Sequence, residues 1–139
     1  MRDYCELCFA SELTRVKVAV RCLLGFVDIW QPTQEERGDL KLVLSELLFN
    51  AVIHGNNMDI NNFVRVKAES IKTKSGIQLL VSIRDEGPGF NYRKVIQRAH
   101  NESSLMCESG RGMVLVCALT DNISFNKTGN AVRFVKILG

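Results

Sequence analysis

The sequence predicts an α+β fold, with helices packed on one face of a mixed, mostly antiparallel sheet. Three observations predict it. Apolar residues recur at helical spacing from Leu13 to Trp30, and a second helical stretch opens at a capping box, Thr33-Gln-Glu-Glu36. Alternating, β-rich runs follow at 63–72 and 77–84 and again near the C-terminus. Two long helices ahead of paired strands fit a layer of helices laid on a sheet.

Taken in order, residues 3–10 read as a strand, and Ser11 is expected to cap the first helix. Leu13, Val16, Val20, Leu23, Val27 and Trp30 form its apolar stripe, and Pro32 ends it. The second helix is expected from Gln34 to His54. Leu40, Leu44, Leu47 and Ala51 lie within about 40° of one line, while Leu42, Phe49 and Ile53 lie opposite. A helix apolar on both sides is expected to be sandwiched between other elements. Gly55 to Asn62 is turn chemistry, and Lys74-Ser-Gly76 connects the two central strands. A short helix is expected near Tyr92–Ala99 within a polar stretch from 91 to 109. A glycine-opened helix at 110–119 and a hairpin pairing 122–126 with 131–138 complete the chain.

With 139 residues the chain suits one domain, 1–139, around one core. Its 46% apolar and 24% charged residues are ordinary for a soluble protein. The net charge of +3 is mild, and no basic run with interleaved aromatics occurs, so nucleic acid is not an expected partner. Five cysteines do not have disulfide-scaffold spacing. Cys5 and Cys8 stand three apart on a strand and so face opposite ways, which disfavours a shared metal. No signal peptide or membrane-length apolar run is evident. A cytoplasmic location is expected.

Three segments carry chemistry. Glu46, Asn50 and His54, four apart on the second helix, form one polar stripe about 80° wide. A partly buried carboxylate there needs a proton, a cation or a metal-bound ligand; an amide oxygen binds Mg²⁺, and a carboxylate accepts a proton. Asp85-Glu-Gly87-Pro-Gly89 follows an apolar strand. Its glycines permit unusual backbone paths and close approach of a flat ring, and a carboxylate at the strand's end can accept from the exocyclic amine of adenine. Gly110-Arg-Gly112 opens a helix whose free N–H groups can face an anion, with Arg111 as a further phosphate partner. Each segment alone has a plainer reading: helix-end polar residues, a Gly-Pro turn and an ordinary glycine before a helix.

Their order is what is specific. Glu46-Leu-Leu-Phe-Asn50-Ala-Val-Ile-His54-Gly55 resembles the N box of the GHKL (Bergerat-fold) ATPase superfamily. Asp85-Glu-Gly87-Pro-Gly89 resembles its G1 box, and Gly110-Arg-Gly112 its G2 box. Met113-Val-Leu follows Gly112, where some members carry a further glycine. Gyrase-type, chaperone-type and mismatch-repair members need further domains. Sensor histidine kinases need acceptor helices upstream, and only about thirty-five residues precede the second helix here. The chain resembles the stand-alone bacterial anti-sigma-factor serine/threonine kinases.

That resemblance implies a Bergerat-type two-layer sandwich that binds ATP and Mg²⁺. Asn50 would hold the metal, Asp85 would read adenine, and Gly87 and Gly89 would shape the base pocket. Gly110, Arg111 and Gly112 would meet the phosphates, Glu46 would be the catalytic carboxylate, and 91–109 would form a lid. It further implies a sigma factor and a STAS-domain antagonist as partners, and a homodimer. Two other readings fit the same motifs: a non-catalytic ATP-gated module that sequesters a partner, and a detached ATP domain serving another chain's histidine.

Overall fold

A computed structural model of the chain describes residues 2–89 and 108–139, with side chains described from 112 onward in the second segment. The expected helix at 92–99 and the lid therefore lie outside the described residues. Five strands, β1 (Arg2–Ala10), β2 (Phe63–Thr73), β3 (Gly76–Arg84), β4 (Asn122–Phe125) and β5 (Ala131–Leu138), form one sheet in the order β1-β2-β3-β5-β4. All four pairings are antiparallel. Helices α1 (Leu13–Asp28), α2 (Gln34–Asn50) and α3 (Glu108–Leu119) make up the second layer.

The strand period of two sorts the side chains. Val64, Val66, Ala68 and Ser70 of β2, and Leu79, Val81 and Ile83 of β3, point into the core. Val132, Phe134 and Leu138 join them from β5. Against this face α1 buries Val16, Ala19, Val20, Leu23, Leu24 and Val27, and α2 buries Leu40, Val43, Leu44, Leu47 and Leu48. Truncating one such leucine to alanine costs about 2–5 kcal/mol.

Thr33 caps α2 as its sequence requires. Its hydroxyl accepts from Glu36 N at 3.1 Å, and the Glu36 carboxylate accepts from Thr33 N at 2.8 Å. Three expectations need correction. Glu12, not Ser11, occupies the N-cap of α1 and makes no side-chain cap bond. Ser11 is buried instead, donating to the Asn62 carbonyl at 2.7 Å and accepting from Asn56 Nδ2 at 2.8 Å. The second helix also changes pitch. Its α-helical part ends at Asn50, and Ala51–Gly55 form a π-helical turn. Finally, α2 is not sandwiched: Leu42 is 55% exposed and Ile53 36% exposed, with Phe49 only partly buried. One face of α2 meets the core and the other meets solvent.

Candidate functional site

Asn50 ends the α-helical part of α2 and is buried. Its Nδ2 donates to Glu46 Oε1 at 3.4 Å and approaches Met113 Sδ at 3.7 Å. Both neighbours are acceptors, so the amide's orientation is settled. Its carbonyl oxygen accepts no hydrogen bond from the described residues. Beyond Asn50 the wider π turn departs from α spacing. His54 is exposed, whereas Gly55 and Asn56 are buried. His54 thus leaves the stripe that Glu46 and Asn50 share. Such π turns inside helices recur at functional sites.

Gly55 is delivered by that turn onto Asp85. A Cβ at Gly55 would collide with the Asp85 carboxylate, and one at Gly87 would collide with the Gly55 carbonyl. Gly87 is therefore required for space rather than for an unusual dihedral. Asp85 follows β3 directly and is 4% exposed. Its backbone N–H donates to the Asn130 carbonyl at 2.9 Å, and its Oδ1 accepts from Gly87 N at 2.8 Å. Burial pushes the Asp85 carboxyl above its ordinary value, against opposing pulls from the Gly87 N–H and the Arg84 charge. A buried carboxylate with one hydrogen bond of this kind gains from a further donor.

Two residues that sequence reasoning missed hold this turn. Asn56 Oδ1 accepts from Glu86 N at 2.7 Å, while its Nδ2 donates to Ser11 Oγ and to the Phe63 carbonyl at 3.0 Å. Asn126 folds the loop between β4 and β5. Its Oδ1 accepts from the N–H groups of Gly129, Asn130 and Ala131 at 2.8, 3.0 and 3.1 Å. Asn130 then donates from Nδ2 to the Gly87 carbonyl at 3.3 Å. Gly89, at φ +79°, lies against the Thr128 carbonyl so closely that any Cβ would overlap it. The signal available in the sequence was an Asn-Lys-Thr-Gly-Asn hairpin turn, which points to local geometry and not to a site.

At the other end, α3 begins at Glu108, so Gly110 and Gly112 lie inside the helix and do not precede it. Gly110 is the third helical residue, among those whose N–H an α-helix leaves without an internal partner. The Arg111 side chain lies outside the described residues. Gly112 packs on Glu46, and a Cβ there would collide with the carboxylate. Met113, the next residue, is the one that touches Asn50.

Two clusters result, joined by the π turn. Glu46, Asn50 and Gly112 form one; Gly55, Asp85, Gly87 and Gly89 form the other. The first offers an amide oxygen that accepts nothing from the described residues, beside a carboxylate at the start of a helix. These are hard oxygen donors, and they fit Mg²⁺, which takes one or two protein oxygens and completes its shell with water and phosphate. Among the described residues no group of three or more His, Cys, Asp or Glu could hold a metal unaided. The second cluster offers a buried carboxylate flanked by bare backbone, suited to a flat heterocycle carrying an amine.

Compared with known proteins, residues 9–136 match the model of the histidine kinase-like ATPase domain. The chain belongs to that family. Membership in this ATPase-domain family carries ATP binding with it. Among curated relatives, the anti-sigma F factor of Geobacillus thermodenitrificans is 31% identical over 124 residues, covering 88% of this chain and 82% of its own. The anti-sigma F factor of a Thermoanaerobacter species is 28% identical over 138 residues, covering 96% and 93%. That of Bacillus cereus is 28% identical over 142 residues, covering 99% and 94%. The two-layer sandwich is the architecture that the GHKL resemblance led one to expect. No described helix of this ATPase domain is long and apolar enough to cross a membrane.

Proposed function

We propose that this chain is a single-domain, ATP-dependent serine/threonine protein kinase and anti-sigma factor. Its substrate would be a STAS-type antagonist, and its second partner a sigma factor, both in the cytoplasm. The observation that carries the reading is the packing of the Glu46 carboxylate against Gly112, one helical turn from Asn50. The similarity to anti-sigma F factors supports the partners.

In this reading Asp85 accepts from the adenine amine, and Gly87 and Gly89 admit the ring beside it. Gly110, Arg111 and Gly112 face the phosphates. Asn50 would hold Mg²⁺ through its amide oxygen, and the metal would supply charge neutralisation to the transferring phosphoryl group. Glu46 orients the acceptor hydroxyl and takes its proton as the hydroxyl oxygen bonds to the γ-phosphorus. The bond from that phosphorus to the β–γ bridging oxygen breaks, and ADP leaves. Phosphoryl transfer is mostly positioning and charge neutralisation, and a carboxylate fixed by a glycine suits that demand.

Incubation with γ-labelled ATP and the cognate STAS protein tests this. Acid-stable phosphoserine or phosphothreonine on that protein is expected. If ATP binds normally and label never appears, the kinase reading fails. Acid-labile label would point instead to a phosphohistidine acceptor.

A further inference from the structure

The helices cover one face of the sheet, and the other face carries a basic groove of about 860 Å³. Arg65 of β2 stands directly opposite Arg84 of β3, and one row along, Lys67 is opposite Ser82, itself opposite Arg133 of β5. All four cations are exposed. Neighbouring strands lie about 4.8 Å apart, so these charges crowd into a patch two rows deep. Like charges placed directly opposite are destabilising. Among the described residues, Arg65, Arg84 and Arg133 enter no ion pair, and Lys67 pairs with Glu6 at 3.8 Å and lies 5.2 Å from the Tyr4 ring centroid. Leu80, two residues before Ser82 on the same face of β3, lines the groove as well.

We infer that this face docks a short acidic segment of a partner protein, its carboxylates on Arg65, Arg84 and Arg133 and an apolar side chain against Leu80. A bound carboxylate removes the repulsion between Arg65 and Arg84 and gives the guanidinium forks their preferred ligand. Glu6 and Glu69 also line the groove, which suits a few carboxylates and repels a continuous phosphate chain. A second copy of this chain is disfavoured for a related reason. An isologous contact centred on the patch would bring eight cations together. The inference stands independently of the kinase reading, because Arg65 and Arg133, the arginines tested, make no contact with the described nucleotide-site residues.

A fluorescent twelve-residue peptide alternating Asp and Leu, and a counterpart with Asn for Asp, test it by anisotropy on the full chain. The acidic peptide is expected to bind at least tenfold more tightly, with affinity falling as salt rises. The pair Arg65→Glu and Arg133→Glu should abolish that preference. Lys17→Glu with Lys41→Glu, on exposed helix positions, makes the same change in net charge and should preserve it. The milder Arg65→Gln and Arg133→Gln pair, with ATP binding as a folding check, carries the test if the reversal misfolds. Equal binding of the two peptides, or unchanged binding by the glutamine pair, overturns the inference. So does tighter binding of a thymidine oligonucleotide through the same arginines. Sedimentation showing a dimer that the arginine variants dissociate, with no peptide binding, overturns it in favour of a contact between copies.

Discussion

Gly112 lies against the carboxylate of Glu46 so closely that the two could not both remain if the glycine gained a methyl group. This contact ties the first helical turns of α3 to the polar stripe of α2. Gly112→Ala should leave the fold intact, because the carboxylate is the end of a flexible side chain. It should lower phosphotransfer about tenfold or more by displacing that carboxylate. Glu46→Gln should lower it about 10²–10⁴-fold. Glu46→Gln should keep ATP affinity within about threefold, since it touches neither base nor phosphate. Gly112→Ala, on the phosphate side, is read for its transfer loss at saturating ATP. Single-turnover transfer beside equilibrium ATP binding reads the split; a parallel loss of binding by Glu46→Gln would contradict it.

Asp85 gives a stability prediction whose sign follows from its raised pKa. A carboxyl raised on folding favours the native state below its unfolded value, near 3.8, and that contribution is lost as pH rises through the native value. At pH 7 the buried charge therefore opposes folding. Asp85→Asn should raise the melting temperature of the nucleotide-free protein at pH 7, and the gain should shrink as pH approaches 4. The same variant should weaken ATP binding by about 10–100-fold, the range expected for a lost charged hydrogen bond. Paired thermal scans from pH 4 to 7 check the sign.

The same substitution should act oppositely at two glycines. A Cβ at Gly38, in the body of α2, meets nothing within 4 Å, so Gly38→Ala should stabilise by about 0.5–1 kcal/mol. At Gly87 the obstruction is the Gly55 backbone, which has no rotamer to move. Gly87→Ala should cost about 1–3 kcal/mol or more and abolish nucleotide binding. Urea titrations of the two variants measure the difference.

Asn126 should behave as a keystone of the β4–β5 loop. Removing its amide takes the acceptor from the Asn130 and Ala131 N–H groups and leaves Gly129 N–H only the Asn126 backbone carbonyl at 3.2 Å. Asn126→Ala should therefore cost about 1–3 kcal/mol. Faster hydrogen exchange at Gly129, Asn130 and Ala131 should accompany weaker ATP binding, because Asn130 braces Asp85 and Gly87.

Much of this was legible along the chain, for reasons specific to each element. The capping box of α2 and the alternation of β2 and β3 are local patterns, and local patterns survive folding. Ser11 misled because a cap and a buried tertiary hydrogen bond use the same hydroxyl, and only the fold decides between them. Leu42 misled because an exposed leucine is common and carries no positional information. The π turn had no sequence signal, although it is what sets Gly55 on Asp85. The bracing by Asn56 and Asn130 runs between distant elements, with Asn56 to Ser11 spanning forty-five positions and Asn130 to Gly87 forty-three. Periodicity cannot report such contacts.

Isothermal titration of the nucleotide-free chain with ATP and Mg²⁺, and then with GTP and Mg²⁺, bears most directly on the proposed convergence of Asn50, Asp85 and Gly110 on one nucleotide. A saturable heat at one site per chain is predicted for ATP, with GTP weaker by about tenfold or more because guanine presents no amine where Asp85 is proposed to accept one. Absence of heat at millimolar ATP, or equal affinity for the two nucleotides, would contradict the account.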